Sequence, residues 1–332
     1  MSTPLVLLLS IIAAAIPTLF FVGLIYWVDR YEKEPFWLLA AAFLWGAIPS
    51  ILFAYIFNST LSIPLYLISD GVGDFLSGVL IAPPVEESIK GAALLGILLL
   101  WRHEIDSPLD GIIYGAMVGM GFAMVENVTY FVNVYSEGGT AAWGMNIFFR
   151  AFIFGLNHAL FTSMTGLGIA VSRLSTNSFV KVAAPIAGWI TAVFLHSLHN
   201  LSVSFDNLLC IVALIFDWGG VLLVIGIIIG ALAQERKWLV KYLREEVERG
   251  VLPSQLYVNA CSNRKRGAHK WQVLWGETAV YFKTLRFYQQ CSTLAYKKHH
   301  YMLFQHEKDA QRIVALQNEL FYLGKEIAEK TL

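Results

Sequence analysis

Long apolar runs separated by short polar breaks fill the first two-thirds of the chain, and amphipathic periodicity replaces them after residue 234. Seven stretches have the ~20 mostly apolar residues a helix needs to cross about 30 Å of hydrocarbon. They are Leu5–Val28, Phe36–Phe57, Phe75–Trp101, Gly111–Val134, Gly144–Val171, Val182–Phe205 and Leu208–Ala233. Leu61–Ala82, interrupted by Gly71, Gly73 and Gly78, leaves room for an eighth, re-entrant piece. The first run has no Lys or Arg ahead of it and outruns a signal-type core, so it is expected to stay as a span. Beyond residue 234 the period is helical. Trp238–Glu248 is amphipathic and stops at Gly250 ahead of Pro253, a second pattern runs from Trp271 to about His300, and a third from Phe304 to Lys330. The last sets Ile313, Leu316, Leu320, Leu323 and Ile327 at helical spacing. The pattern predicts an all-α fold: a polytopic membrane helical bundle over 1–234 and a C-terminal cytoplasmic helical tail over 235–332.

Composition agrees with the pattern. Hydrophobic residues make up 57% of the chain and charged residues 14%, against about 25% charged in an average soluble domain. The formal net charge of zero hides a split. Residues 1–234 carry seven basic and fourteen acidic side chains, and residues 235–332 carry seventeen and ten. Cys210, Cys261 and Cys291 have no paired spacing, which excludes a disulfide framework and a four-Cys zinc site. No nucleic-acid partner is implied; the lipid bilayer is. Charge also orients the chain. Arg30 and Lys33 lie in the first loop, Arg102 in the third, and Arg173 and Lys181 in the fifth, while loops two, four and six have none. Basic loops stay cytoplasmic. The N-terminus is therefore expected outside and the tail inside, in a multi-pass protein of the cell membrane.

Ionisable groups inside spans are costly and mark function by default. Here they are Glu86, Glu87, Lys90, Glu126, Arg150, His158, His196, His199 and Asp217. Counted from the outer boundary, Glu86, Glu126, His158 and His196 fall roughly 12–21 Å deep at ~1.5 Å per residue. Four helices thus bring an acid or an imidazole to similar depth. Glu86 and Lys90 are i,i+4 and Glu87 and Lys90 are i,i+3, just after Pro83-Pro84. Two carboxylates sharing one ammonium can keep one group free as a general base while the other is fixed by hydrogen bonding. His196 and Asn200 share a face. Arg150 is expected to snorkel to the outer edge, and Asp217 to serve structure or to neutralise Arg150. Gly111, Gly115 and Gly119 form a ridge for close helix packing. Lys297-Lys298-His299-His300 reads as a solvated basic face.

Several motifs now combine. Glu86-Glu87-Ser-Ile-Lys90 has the pattern E-E-x-x-K, Phe122 to Asn127 has F-x-x-x-E-N, and His196 to Asn200 has H-x-x-x-N. His158 lies in the fifth span, and Asp29-Arg30-Tyr31-Glu32-Lys33-Glu34-Pro35 follows the first. Together they resemble the PrsW family of intramembrane proteases, distant relatives of the CAAX prenyl proteases. The resemblance implies a glutamate-activated water attacking a peptide bond and needing no cofactor. Glu86 would be the base, Glu87 and Lys90 would orient it, His158, alone or with Glu126, would help hold the water, and His196 and Asn200 would stabilise the oxyanion. It also implies single-pass membrane substrates such as anti-sigma factors, cut near the outer membrane face; a homo-oligomer is left open. The chain has Lys90 where the prenyl proteases carry an Arg one residue further on, and Glu126 where they carry a His, which argues against a CAAX substrate. Two other mechanisms compete: a zinc protease with ligands from His158, His196, His199 and Glu126, and a non-catalytic transporter or scaffold.

Overall fold

The computed structural model describes residues 1–205, 208–276 and 278–331, and all regular structure among them is helical. The sixth loop of the sequence pattern, Asp206-Asn207, lies outside the described residues, as do Glu277 and Leu332 of the tail. The fold divides into two compact units: Met1–Val28 with Glu34–Ile227, and Asp29–Lys33 with Ile228–Leu332.

The first unit is the apolar one. It runs α1 (Thr3–Val28), α2 (Phe36–Trp45), α3 (Ile51–Tyr66), α4 (Asp70–Leu76), α5 (Ala82–Leu100), α6 (Pro108–Ile147), α7 (Asn157–Leu174), α8 (Ser178–Val203) and the start of α9 (Leu208–Glu248). By length and composition, five helical stretches among the described residues could cross a membrane: Thr3–Val28, Phe36–Tyr66, Pro108–Leu174, Ser178–Val203 and Cys210–Glu248. Pro108–Leu174 holds two of the runs expected from sequence, and the third expected run, carrying Glu86, Glu87 and Lys90, is not among the five. The most apolar window of Pro108–Leu174 is 83% buried and that of Ser178–Val203 only 6%. The pair α6–α7 is therefore the centre of the bundle, while α8 turns apolar side chains outward, as a lipid-facing helix does.

Local chemistry explains the joints. Ser107 caps α6 in a reciprocal capping box with Asp110, and Pro108 takes the first helical turn, where its missing N–H costs nothing. Gly139 has φ 70° inside the long α6, a conformation that suits glycine, and breaks the helix there. Gly111, Gly115 and Gly119 lie directly on the backbone of α7, so that a Cβ at any of them would overlap Gly166, Thr162 or His158. This is the packing expected of the ridge. Three π-helical turns interrupt the bundle, at Gly46–Ser50, Ser77–Ile81 and Phe148–Ile153; such turns often mark functional sites. The last of them breaks the run expected as one span over Gly144–Val171. The glycine-interrupted stretch Leu61–Ala82 becomes the end of α3, the short α4 and the second π turn.

The second unit packs the distal half of α9, α10 (Ser254–Ala260), α11 (Asn263–Leu274), α12 (Thr278–Phe304) and α13 (Glu307–Thr331). Leu239, Leu243, Leu256, Phe287, Leu294, Leu316, Leu320 and Ile327 form its core. The pattern expected as one helix from Trp271 to His300 is two, parted around Gly276. The expected solvated basic face is also absent: His300 is buried, His299 stacks on Trp238 at 4.2 Å, and Lys298 pairs with Glu245 and with buried Glu246. Glu246 needs a cation once it is buried, and Lys298 supplies it. The Asp29–Lys33 loop belongs to this unit. The buried Arg266 donates to Tyr31 O (2.9 Å), Ala260 O (2.7 Å) and Ser292 Oγ (2.9 Å), and Gln289 pairs with both backbone groups of Lys33.

Candidate active site

Helix α5 begins at Ala82 directly after the second π turn, with Pro83 and Pro84 in its first turn. One turn later it presents Glu86, Glu87 and Lys90, all buried. The preceding residue, Ile81, is itself helical and no side chain caps the start, so the prolines follow a bend in a continuing helical path.

The two adjacent carboxylates have different surroundings. Glu87 is fully buried and saturated: Oε1 accepts from Lys90 Nζ (2.8 Å) and pairs with His196 Nδ1 (3.1 Å), and Oε2 accepts from Thr162 Oγ1 (3.0 Å). Among the described residues Glu86 accepts only one hydrogen bond, at Oε1 from Asn58 Nδ2 (3.3 Å), and its buried Oε2 has no hydrogen-bond partner. Lys90 Nζ lies 3.6 Å from that oxygen and His196 Nε2 3.9 Å.

Lys90 holds the cluster together. Its ammonium also sits 3.1 Å from His158 Nδ1 and 3.8 Å over the Phe122 ring. An ammonium has no lone pair, so His158 Nδ1 is the acceptor. His158 Nε2 lies 2.9 Å from Glu126 Oε2, which fixes the tautomer with the proton on Nε2. His158 stands in the first turn of α7, directly after the broken segment, and not in mid-helix. Glu126 Oε2 in turn accepts from Arg150 Nη2 (2.6 Å), whose Nε donates to Asn127 Oδ1 (2.9 Å). Arg150 therefore does not snorkel away. Its side chain is only 24% exposed and lies 3.7 Å over the Tyr130 ring, because Glu126 requires a counter-charge at that depth.

Among the other expected residues, Asn200 Nδ2 donates to Gly78 O of the second π turn (2.8 Å). His199 Nδ1 pairs with Asp217 Oδ2 (2.7 Å), which also accepts from Asn157 Nδ2 (2.9 Å). Asp217 thus serves α7, α8 and α9 and does not neutralise Arg150. Sequence reasoning had not singled out Asn58 or Thr162; a polar side chain within an apolar run was their only signal. Glu86, Glu126, His158, His196, His199 and Asn200 all border one cavity of about 590 Å³. Glu87 and Lys90 lie behind its wall.

Glu86, His158 and His196 each offer one ligand atom, and the three atoms lie within 4.8 Å of one another. Donor type and span suit a zinc-like ion. Of the ligands expected for such a site, Glu126 and His199 are engaged with Arg150 and Asp217. A metal there would compete with a cation already in place. Both ring nitrogens of His158 are committed, and the Lys90 ammonium contacts two of the three donors, so a divalent ion would have to displace it.

A family model described as "PrsW family intramembrane metalloprotease" matches residues 34–233, a range that contains the whole cluster and stops before the tail. Among curated proteins, the chain is 28% identical over 208 residues to Protease PrsW of Clostridioides difficile, covering 61% of this chain and 80% of that protein. It is 27% identical over 201 residues to Protease PrsW of Geobacillus kaustophilus, covering 58% and 78%. It is 29% identical over 173 residues to Protease PrsW of Bacillus subtilis, covering 51% and 71%. No solved structure matches.

Proposed function

The chain belongs to the PrsW family of multi-pass membrane proteases, and on that premise we propose that it cleaves single-pass membrane proteins, such as anti-sigma factors, near the outer membrane face with a water activated by Glu86. The observation that carries this reading is the bare Glu86 Oε2, a buried carboxylate oxygen facing His196 Nε2 across 3.9 Å at the cavity wall. Glu87 cannot serve as base while it holds Lys90, His196 and Thr162, nor can Glu126 while it holds Arg150 and His158.

In this mechanism Glu86 Oε2 takes a proton from water as the water oxygen bonds to the peptide carbonyl carbon. Glu87, bonded at His196 Nδ1, supports positive charge on that ring, so that Nε2 can present a proton to the oxyanion. Asn200 keeps its amide oriented through Gly78 and uses its second N–H as a further donor. The C–N bond then breaks, and the proton on Glu86 passes to the leaving nitrogen. Lys90, His158 and Glu126 act as positioning residues, fixing the charge pattern around Glu86.

Charge alternation along the loops supports an orientation with the N-terminus outside and the tail in the cytoplasm. Counted along the helices, that orientation puts the cluster in the outer half of the membrane. A second reading is supported by the donor spacing and the metalloprotease description: zinc held by Glu86, His158 and His196. The test is co-reconstitution of the protein with a single-pass substrate in liposomes, with the products sequenced. Cleavage in the outer half of the span, lost in Glu86→Gln and unaffected by chelation, is the expected result. Undiminished cleavage by Glu86→Gln overturns the proposal.

A further inference from the structure

The apolar run of α9 ends at Ala233, but the helix continues to Glu248. Over that continuation the two faces separate cleanly. Glu235, Trp238, Leu239, Tyr242, Leu243 and Glu246 are buried, while Arg236, Lys237, Lys241 and Arg244 are exposed. These four cations, with Ala233 and Val240 between them, line a shallow groove that contains no acid. Of the acids that follow on the same helix, Glu245 and Glu246 pair with Lys298 and Glu246 also with Gln317, while the exposed Glu248 lies outside the groove lining. Lys237 and Arg244 make no hydrogen bond or ion pair among the described residues. Arg236 reaches only the Cys261 carbonyl, at 3.3 Å. Lys241 meets only the Met302 sulfur at 4.0 Å and the Tyr242 ring at 4.9 Å. Four cations on one face without a counter-charge make a site for an anion.

We propose that this groove binds the phosphate of an anionic phospholipid headgroup. Its position favours a lipid over a dissolved phosphate, because it starts where an apolar, membrane-length run ends. At ~1.5 Å per residue, Arg236 and Lys237 lie about 5–6 Å past Ala233, within the 5–7 Å headgroup layer on each side of the hydrocarbon. Lys241 and Arg244 lie roughly 12–16 Å past it, about 5–11 Å from charge in that layer, on the order of one Debye length. Ala233 offers an apolar surface beside the first pair for the glycerol carbons. The first pair should therefore contribute direct contacts, and the second pair a weaker, salt-screened attraction.

The full-length protein in mild detergent is titrated with phosphatidylglycerol, phosphatidylcholine and inorganic phosphate, and bound species are counted by native mass spectrometry. Phosphatidylglycerol is expected to bind in preference to phosphatidylcholine. Arg236→Gln/Lys237→Gln should weaken it by an order of magnitude or more, at roughly fivefold per cation. Lys241→Gln/Arg244→Gln should weaken it less, and that smaller effect should vanish in high salt. All four positions are exposed, and the melting temperature of each variant reports its folding. Equal retention of the two lipids, or variants that bind as the wild type does, overturns the proposal. Displacement of the lipid by millimolar inorganic phosphate overturns the lipid as the ligand.

Discussion

Replacing Lys90 by Met keeps the length of the side chain and removes the charge. In the native cluster the ammonium touches Glu87 Oε1 at 2.8 Å, His158 Nδ1 at 3.1 Å, Glu86 Oε2 at 3.6 Å and the Phe122 ring at 3.8 Å. Breaking a buried pair by deleting one partner costs about 3–5 kcal/mol, since the other charge stays buried. Two carboxylates remain here, so the upper end of that range is expected. The same change frees two of the three candidate donors, Glu86 and His158. A tetrahedral zinc at ~2.0–2.1 Å from its ligands needs them about 3.3 Å apart, and those of Glu86, His158 and His196 already lie within 4.8 Å. Each must move inward by less than ~1 Å, a rotamer adjustment. Lys90→Met should therefore melt well below the wild type and regain stability when zinc is added, by about 2.7 kcal/mol at a hundredfold excess over Kd. The wild type should show no such gain. Thermal melts of both proteins with and without zinc, with metal content by mass spectrometry, read this directly. Stoichiometric zinc in the wild type, or a Lys90→Met variant that zinc does not stabilise, refutes the argument that the ammonium occupies the cation position.

Other consequences are open to measurement. Glu87→Gln should lose stability together with activity, because Glu87 anchors Lys90, His196 and Thr162; Glu86→Gln should leave the melting temperature unchanged or raised, and equal melting of the two contradicts the division of roles. Arg266→Met strands the Ala260 carbonyl and removes one of two donors to the Tyr31 carbonyl, which keeps Ser292 Oγ; it should cost the tail about 1–3 kcal/mol, the cost of one unsatisfied group, seen as faster limited proteolysis after residue 248. Burial holds His269 below the usual histidine range, and burial, with His300 and Lys241 adding to it, does the same for His299. The unfolded chain then binds more protons, so the stability of the tail is complete above about pH 6.5 and falls as pH drops below it. The double variant His269→Gln/His299→Gln should flatten that slope in full-length melts; an unchanged slope rules these two histidines out as its source.

Much of the membrane body was legible in advance because hydrocarbon imposes a strong code. Apolar runs, the glycine ridge on α6 and the ionisable residues within spans all follow from a solvent that tolerates few exceptions. The cluster Glu86, Glu87, Lys90, Glu126, His158 and His196 does come together, and Asn200 borders the same cavity. What sequence could not supply was the partition of partners. Glu86 and Glu87 are neighbours of one residue type, and only tertiary contacts with Asn58, Thr162 and His196 make them different. The outward snorkelling expected of Arg150 treated its helix in isolation, whereas Glu126 on another helix holds it. The break before His158 was hidden within an uninterrupted apolar run, since π turns carry no marked composition. In the tail, His299 and His300 looked solvated because a local charge run cannot reveal that Trp238, Glu245 and Glu246 approach from α9.

The most direct test of the central claim compares wild type and Glu86→Gln on one single-pass substrate in the same liposomes, each with and without chelator. Loss of a general base costs on the order of 10²–10⁴-fold in rate. The account predicts a wild-type rate that chelation leaves unchanged and a Glu86→Gln rate lower by at least a hundredfold, with both proteins equally folded. Cleavage by Glu86→Gln at the wild-type rate, or a wild-type rate abolished by chelation and restored by zinc, contradicts it.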